Sequence, residues 1–370
     1  LTLYPGLIDG LTTLGLKKAE GSGGGPPGGG GFPGRPSAGP QIRGPEDRPR
    51  TTPWKSAAEN LAEDSRIEKW REAGFTTATT APDEGLFAGM AAVVNLIEGE
   101  PREMVVETPV AQRLTFEPEG GFATYPGSLM GTLSYIQQVF LDTEHYAAAK
   151  AGSARSAAGG ERLVHDRTLG NLEVSIAAGL PFLMPAQLPR EIDRTLAMAE
   201  KIGLEAIAYG GQGAYARAAE LKAAGMPVLV SLDWPEEAKD RDPEADTPYR
   251  TLYHRRMAPT TPRVLAEAGV PFAFFSQGLS GPGEIFEGVR KAIDSGLSEE
   301  AALRALTAAP AAIFGVGDRL GTIEAGKIAN LVLSTAPPWA EDAEIKAVFV
   351  DGRKYEPPRE AEPEEPPAQD

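Results

Sequence analysis

Short apolar runs rich in β-branched and aromatic residues alternate along this chain with stretches of helical periodicity. Residues 75–81 form one such run, which stops at Pro82. Residues 180–184 form another, followed by a predicted helix over about 190–202 with Ile192, Leu196, Ala199 and Ile202 on one face and Gly203 as its stop. The pattern then repeats: strand 206–209, helix 214–224, strand 228–232, helix 261–268, Gly269, strand 271–276. A further helix places Ile285, Val289, Ala292 and Ile293 on its core side. Helix and strand lengths with short links between them predict βα units whose parallel strands close into a barrel. Upstream, a long helix after Met130 carries Leu133, Ile136, Gln137 and Phe140 at helical spacing, which packing explains.

Two segments break the pattern. Residues 21–34 hold nine glycines and three prolines, so ordering them is entropically expensive and few side chains are available to pack. This region, 21–40 in all, reads as a surface insertion, and it lacks the Gly-Lys-Ser/Thr end of a phosphate loop. The last fifteen residues carry five prolines and six acids against one arginine, the composition of a solvated acidic tail over 357–370.

Charge and composition narrow the function classes. A formal charge of −16 argues against nucleic-acid and anionic-membrane partners. No apolar run approaches the ~18 residues of a membrane span. Cysteine is absent, which excludes disulfides and thiolate metal sites and suits an oxidising compartment.

The two ends of the chain carry motifs. Near the start stands Tyr4-Pro5-Gly6-Leu7-Ile8-Asp9-Gly10-Leu11-Thr12-Thr13. Residues 299–315 end in Thr307-Ala308-Ala309-Pro310-Ala311, and Gly321-Thr322-Ile323-Glu324-Ala325-Gly326-Lys327 and Ala329-Asn330-Leu331-Val332 follow. Val348-Phe349-Val350-Asp351-Gly352-Arg353 reads as a hairpin with an Asp-Gly turn. In this order and at this separation, the motifs resemble the opening and closing signatures of the amidohydrolase superfamily. Trp54, Trp70 and Gly127-Ser128-Leu129-Met130-Gly131 resemble its imidazolonepropionase-like branch. The resemblance covers residues 1–14 and 50–355. It implies an α/β fold, a (β/α)8 TIM-type barrel with a small β-sandwich accessory domain, divided as barrel 1–320, part of the sandwich 321–356 and tail 357–370.

The resemblance also implies a metal at the C-terminal rim of the barrel, and there the chain departs from it. Two first-strand histidines are replaced by Leu11 and Thr13. Pro185 stands at the fifth-strand ligand position after Phe182-Leu183-Met184. Gln212 follows Gly210-Gly211 where the sixth-strand histidine is expected, and Gln277 replaces the aspartate of the eighth strand. Zinc needs three or four nitrogen, sulfur or charged oxygen ligands, which these vestigial positions do not supply. The three histidines, His145, His165 and His254, form no pair at ligand spacing, and no nucleophile elbow is present.

The expectation is therefore a pseudoenzyme with no cofactor and no catalytic residues. It would act as a structural or regulatory subunit in a homo-oligomer, with a related amidohydrolase subunit, or in a larger assembly. The alternative is a metal-independent ligand-binding or residual hydrolytic protein acting on carbon–nitrogen bonds, with Gln187, Gln212 and Gln277 as hydrogen-bonding groups. The closing strands, about 328–334 and 345–350, would expose unpaired edges. Hence the expectation that the native chain starts earlier, with an export signal and a periplasmic or extracytoplasmic destination.

Overall fold

Between residues 180 and 276 strand and helix segments follow one another in the order the periodicity predicts, whereas residues 81–104 carry no helical crossover. The computed structural model describes residues 1–17, 48–117, 125–155, 163–237 and 246–356. The glycine-rich segment 21–40 and the tail 357–370 lie outside these. The chain begins with β1 (Thr2–Pro5) and β2 (Leu7–Thr12), then α1 (Arg66–Glu72), β3 (Phe75–Thr80), β4 (Phe87–Asn95) and β5 (Val105–Leu114). Helices α2 (Leu129–Arg155) and α3 (Arg167–Ala177) lead to β6 (Phe182–Ala186). Alternation follows through α4 (Pro189–Ile202), β7 (Ala206–Gly210), α5 (Ala218–Ala223), β8 (Val228–Ser231), α6 (Tyr249–Met257), α7 (Thr261–Ala268) and β9 (Phe272–Phe275). The chain closes with α8 (Pro282–Asp294), α9 (Glu299–Ala305), α10 (Ala308–Ile313), β10 (Leu331–Ser334), β11 (Ile345–Val350) and β12 (Arg353–Tyr355).

Strands β2 to β9 form one eight-stranded sheet in chain order. Its ladders are parallel except β3–β4 and β4–β5, which are antiparallel. The expectation of a wholly parallel barrel is corrected here, because β4 runs against its neighbours. The cause is connection length. Only residues 81–86 join β3 to β4 and 96–104 join β4 to β5, too few for a helical crossover, so the chain turns back as a meander.

The sheet curls until β9 faces β2, where side chains and close backbone approach replace a ladder. A Cβ built on Gly10 would sit 2.6 Å from the Phe274 carbonyl oxygen. Asp9 accepts from the Ser276 backbone N–H at 3.0 Å and pairs with the Ser276 hydroxyl. Two apolar layers result. One, with Ile8, Leu11, Val93, Leu183, Ile207, Leu229 and Phe275, fills the barrel interior. The other lies between sheet and helices, where Phe140 of α2 meets Phe87 at 5.6 Å and Phe182 edge-on at 5.4 Å. Fully burying one such phenyl ring stabilises the fold by about 2–3 kcal/mol.

Helix α4 shows how local sequence sets the frame. Pro189 opens it, Glu191 accepts from the Gln187 and Leu188 N–H groups, and Gly203 ends it at φ 66°. Its buried face is Ile192, Thr195, Met198 and Ala199, with Leu196 and Ile202 partly buried against the core.

A second, antiparallel sheet has the order β1-β10-β11-β12. Among the described residues the accessory unit is this single layer. Strand β1 pairs along β10 from Thr2 to Pro5, so β10 is an interior strand rather than an open edge. Asn330 fastens the unit to the barrel. Its Nδ2 donates to Thr77 Oγ1 (2.9 Å) and Asn95 Oδ1 (2.8 Å), and its Oδ1 accepts from the Asp351 N–H (2.7 Å). A carboxylate there would have no proton to give Asn95 Oδ1, which explains why asparagine stands at this point of the motif. No helix among the described residues is long and apolar enough to cross a membrane.

Candidate functional site

The C-terminal ends of the barrel strands open on a cavity of roughly 770 Å³. Its wall comes from Pro185 and Ala186 of β6, Tyr209 and Gly210 of β7, Ser231 of β8, and Phe275 and Gln277 at the end of β9. Arg113 of β5 and the loop residues Asp83, Phe116, Glu117 and Asp233 complete it, with Gln187, Glu191 and Arg194 at the start of α4. This is the face on which barrel enzymes carry their sites.

The five positions singled out in the motifs are not all brought together. Pro185 and Gln277 line the cavity. Gln212 is buried beside it and accepts at Oε1 from Gln187 Nε2 at 2.7 Å, while its own Nε2 donates to the Asp233 carbonyl. Leu11 lies in the apolar barrel interior. Thr13 is not part of the wall; its carbonyl accepts from Arg66 Nη2 at 3.0 Å. Convergence of all five in one cavity is thus corrected for Leu11 and Thr13. The β2–β3 register is irregular between Asp9 and Thr12, and Thr13 lies beyond the end of β2.

The wall also holds a charged residue that belongs to none of the motifs. Arg113 is 3% exposed, yet it lines the cavity. Its Nη2 donates to Gln277 Oε1 at 2.8 Å and its guanidinium lies 5.1 Å from the centre of the Tyr209 ring. Its Nε and Nη1 are buried without a hydrogen-bond partner. Gln277 in turn donates from Nε2 to Asp83 Oδ2 at 3.4 Å. Burial pushes the Tyr209 phenol up, and its hydroxyl donates to the Leu114 carbonyl at 3.0 Å. The available signal was a lone arginine inside the run Val110-Ala111-Gln112-Arg113-Leu114, where a strand buried in a barrel has no solvent for a charge.

These side chains do not fit a divalent metal. The amide groups of Gln212 and Gln277 are committed to protein partners, Pro185 offers only a carbonyl that already accepts from Thr195 Oγ1, and the Arg113 guanidinium adds a positive charge to the wall. Among the described residues no three His, Asp or Glu side chains form a metal-holding group. His145 and His165 are exposed. His254 is partly buried beside the Tyr215 hydroxyl, and burial holds its imidazole below the usual range. None of the three lines the cavity.

One titratable group below the rim is strongly perturbed. Asp9 is fully buried, and desolvation raises its carboxyl to about 6 against the opposing hydrogen bonds from Ser276 and Leu11.

Residues 197–354 match the model of the amidohydrolase family. Comparison with curated proteins finds no match. Among solved structures, an amidohydrolase from Thermotoga maritima MSB8 superposes with a TM-score of 0.75 at 23% identity, covering 95% of this chain and 86% of that one. A Xaa-Pro dipeptidase with bound methionine in the active site gives 0.51 at 15% identity, with coverages of 96% and 87%. A prolidase complexed with N-methylphosphonate-L-proline gives 0.50 at 16% identity, with the same coverages. At these identities the likeness is one of fold, a barrel of the amidohydrolase type.

Proposed function

We propose that this chain is a degenerate amidohydrolase-like protein of the imidazolonepropionase-like branch, which binds a small polar ligand at the barrel rim and does not hydrolyse it. It works as a regulatory subunit rather than as an enzyme. The observation that carries this reading is the exchange of a metal's ligand shell for a buried arginine held by a glutamine: Arg113 and Gln277 occupy the mouth of the barrel. Hydrolysis of an amide needs an activated water and a base to take its proton. Gln277, at the position where the resemblance puts an aspartate base, can hydrogen-bond a substrate but cannot accept that proton at neutral pH. What remains is a pocket lined by charged, amide and apolar side chains, of a size that takes small molecules.

The subunit role is supported by apolar side chains left in solvent on the outer helices, with Met130 and Leu141 on α2 and Val174 on α3. A chain without cysteine has no thiol to oxidise and so suits an oxidising, extracytoplasmic setting.

Turnover and mass in solution test both halves of the reading. A panel of amide, lactam and ester substrates, assayed with and without zinc or manganese, is expected to show no hydrolysis above buffer. Light scattering is expected to give a mass above that of a single chain. Metal-stimulated turnover would remove the non-hydrolytic role, and a clean monomer would remove the subunit role.

A further inference from the structure

We infer that the rim cavity is a receptor site for a small α-amino carboxylate, whose carboxylate is held by Arg113 and whose ammonium faces Asp83, with the Gln277 amide as the internal occupant that the ligand displaces. The inference rests on the reading of this cavity as a binding site and names what it binds.

Arg113 carries the first half. A guanidinium offers five N–H donors and is always charged. Here it is almost wholly buried, two of its three nitrogens have no partner, and no carboxylate among the described residues pairs with it. A buried unpaired cation is a costly arrangement that an incoming anion relieves. Carboxylate is a small anion whose two oxygens suit a guanidinium, as those of phosphate do.

The remaining wall decides against a simple anion. Asp83, Glu117 and Asp233 face the same space, so the cavity holds both signs of charge. Glu191 is occupied by the N-terminus of α4, and Arg194 stands beside it. A free inorganic anion would meet three carboxylates, whereas a zwitterion answers both signs.

Gln277 gives the spacing. Its one carboxamide accepts from Arg113 and donates to Asp83. The acceptor and donor atoms that satisfy this pair are therefore as close together as the oxygen and nitrogen of one amide. In an α-amino acid the carboxylate oxygen and ammonium nitrogen are similarly close, whereas longer amino carboxylates separate them. Gln277 lies just beyond β9, on a turn rather than in the ladder, so its side chain can leave without breaking the sheet.

Isothermal titration with L-alanine, L-leucine and L-glutamine tests this, each paired with its carboxamide, which lacks the carboxylate, and its N-acetyl form, which lacks the ammonium. The free amino acids are expected to bind, and both blocked forms to bind at least about tenfold more weakly. Gln277→Ala should tighten the free amino acids by about tenfold through removal of the internal competitor. Arg113→Gln should abolish their binding, with near-ultraviolet circular dichroism as the check of fold. Should that variant fail to fold, Arg113→Lys keeps the charge, loses the planar donors and is expected to weaken binding at least about tenfold.

Equal binding of free and blocked forms overturns the inference, as does binding unchanged in both arginine variants. So does an absence of amino-acid binding in the wild type and Gln277→Ala alike. A neutral amide that binds where amino acids do not would overturn it while leaving the non-hydrolytic binding role intact. Metal-stimulated turnover strikes that role instead.

Discussion

Replacing Asp9 by asparagine is expected to raise stability at pH 8 by about 3 kcal/mol and to remove this group's own contribution to pH dependence between about pH 4 and pH 6. The folded carboxyl titrates near 6 against an ordinary value of 3.8, so across that window the folded state holds a proton that the unfolded state has released. Stability from this group is therefore full below 3.8, falls as pH rises to about 6, and stays at its low plateau above. The cause is burial, which penalises the charged form more than the Ser276 and Leu11 hydrogen bonds favour it. Asparagine fits the same partners: Oδ1 accepts from the Ser276 and Leu11 N–H groups at 3.0 and 3.4 Å, and Nδ2 donates to the Ser276 hydroxyl in place of the acid proton. Urea unfolding of both proteins from pH 4 to pH 8 measures the effect. Parallel stability curves, or a stability gap between variant and wild type that narrows as pH rises through the window, would sink the assignment.

Gly10→Ala is expected to destabilise the protein by about 3 kcal/mol, at the upper end for overpacking. The added methyl would lie 2.6 Å from the Phe274 carbonyl oxygen and 3.5 Å from its carbon. Those are backbone atoms of β9 and cannot rotate aside. The barrel has no hydrogen-bonded ladder at this seam, so β2 and β9 would separate. Gly152→Ala is the matched control: it lies inside α2 with nothing within 4 Å of its added methyl, and should stabilise by about 0.8 kcal/mol. Thermal or urea unfolding of the pair reads the contrast. Similar small effects at both positions would show that close approach at Gly10 does not close the barrel.

Much of this fold is legible in residue order. The units from β6 to β9 stand where apolar runs, helical spacing and the stop residues Gly203 and Gly269 put them, because each is set by local patterning. The direction of β4 is not legible in that way. Its residues are buried almost throughout, so no alternation marks one face, and only the shortness of the connection at 81–86 carries the information. The site divides along a similar line. Pro185 lies within β6, and Gln212 and Gln277 follow strands whose frame is regular; all three end at or beside the rim. Leu11 and Thr13 follow an irregularity of backbone register that side-chain identity does not reveal. Arg113 is hidden differently: its place in the cavity depends on β5 lying beside β6 and on the Gln277 turn reaching across, both of them long-range facts.

The most direct test of a barrel rim without a metal is anomalous scattering at the zinc edge, from crystals grown with excess zinc. No peak is expected between Pro185, Gln212 and Gln277, and the Arg113–Gln277 hydrogen bond should persist. A strong, fully occupied peak in that cavity, with the Arg113 side chain displaced from it, would contradict the account.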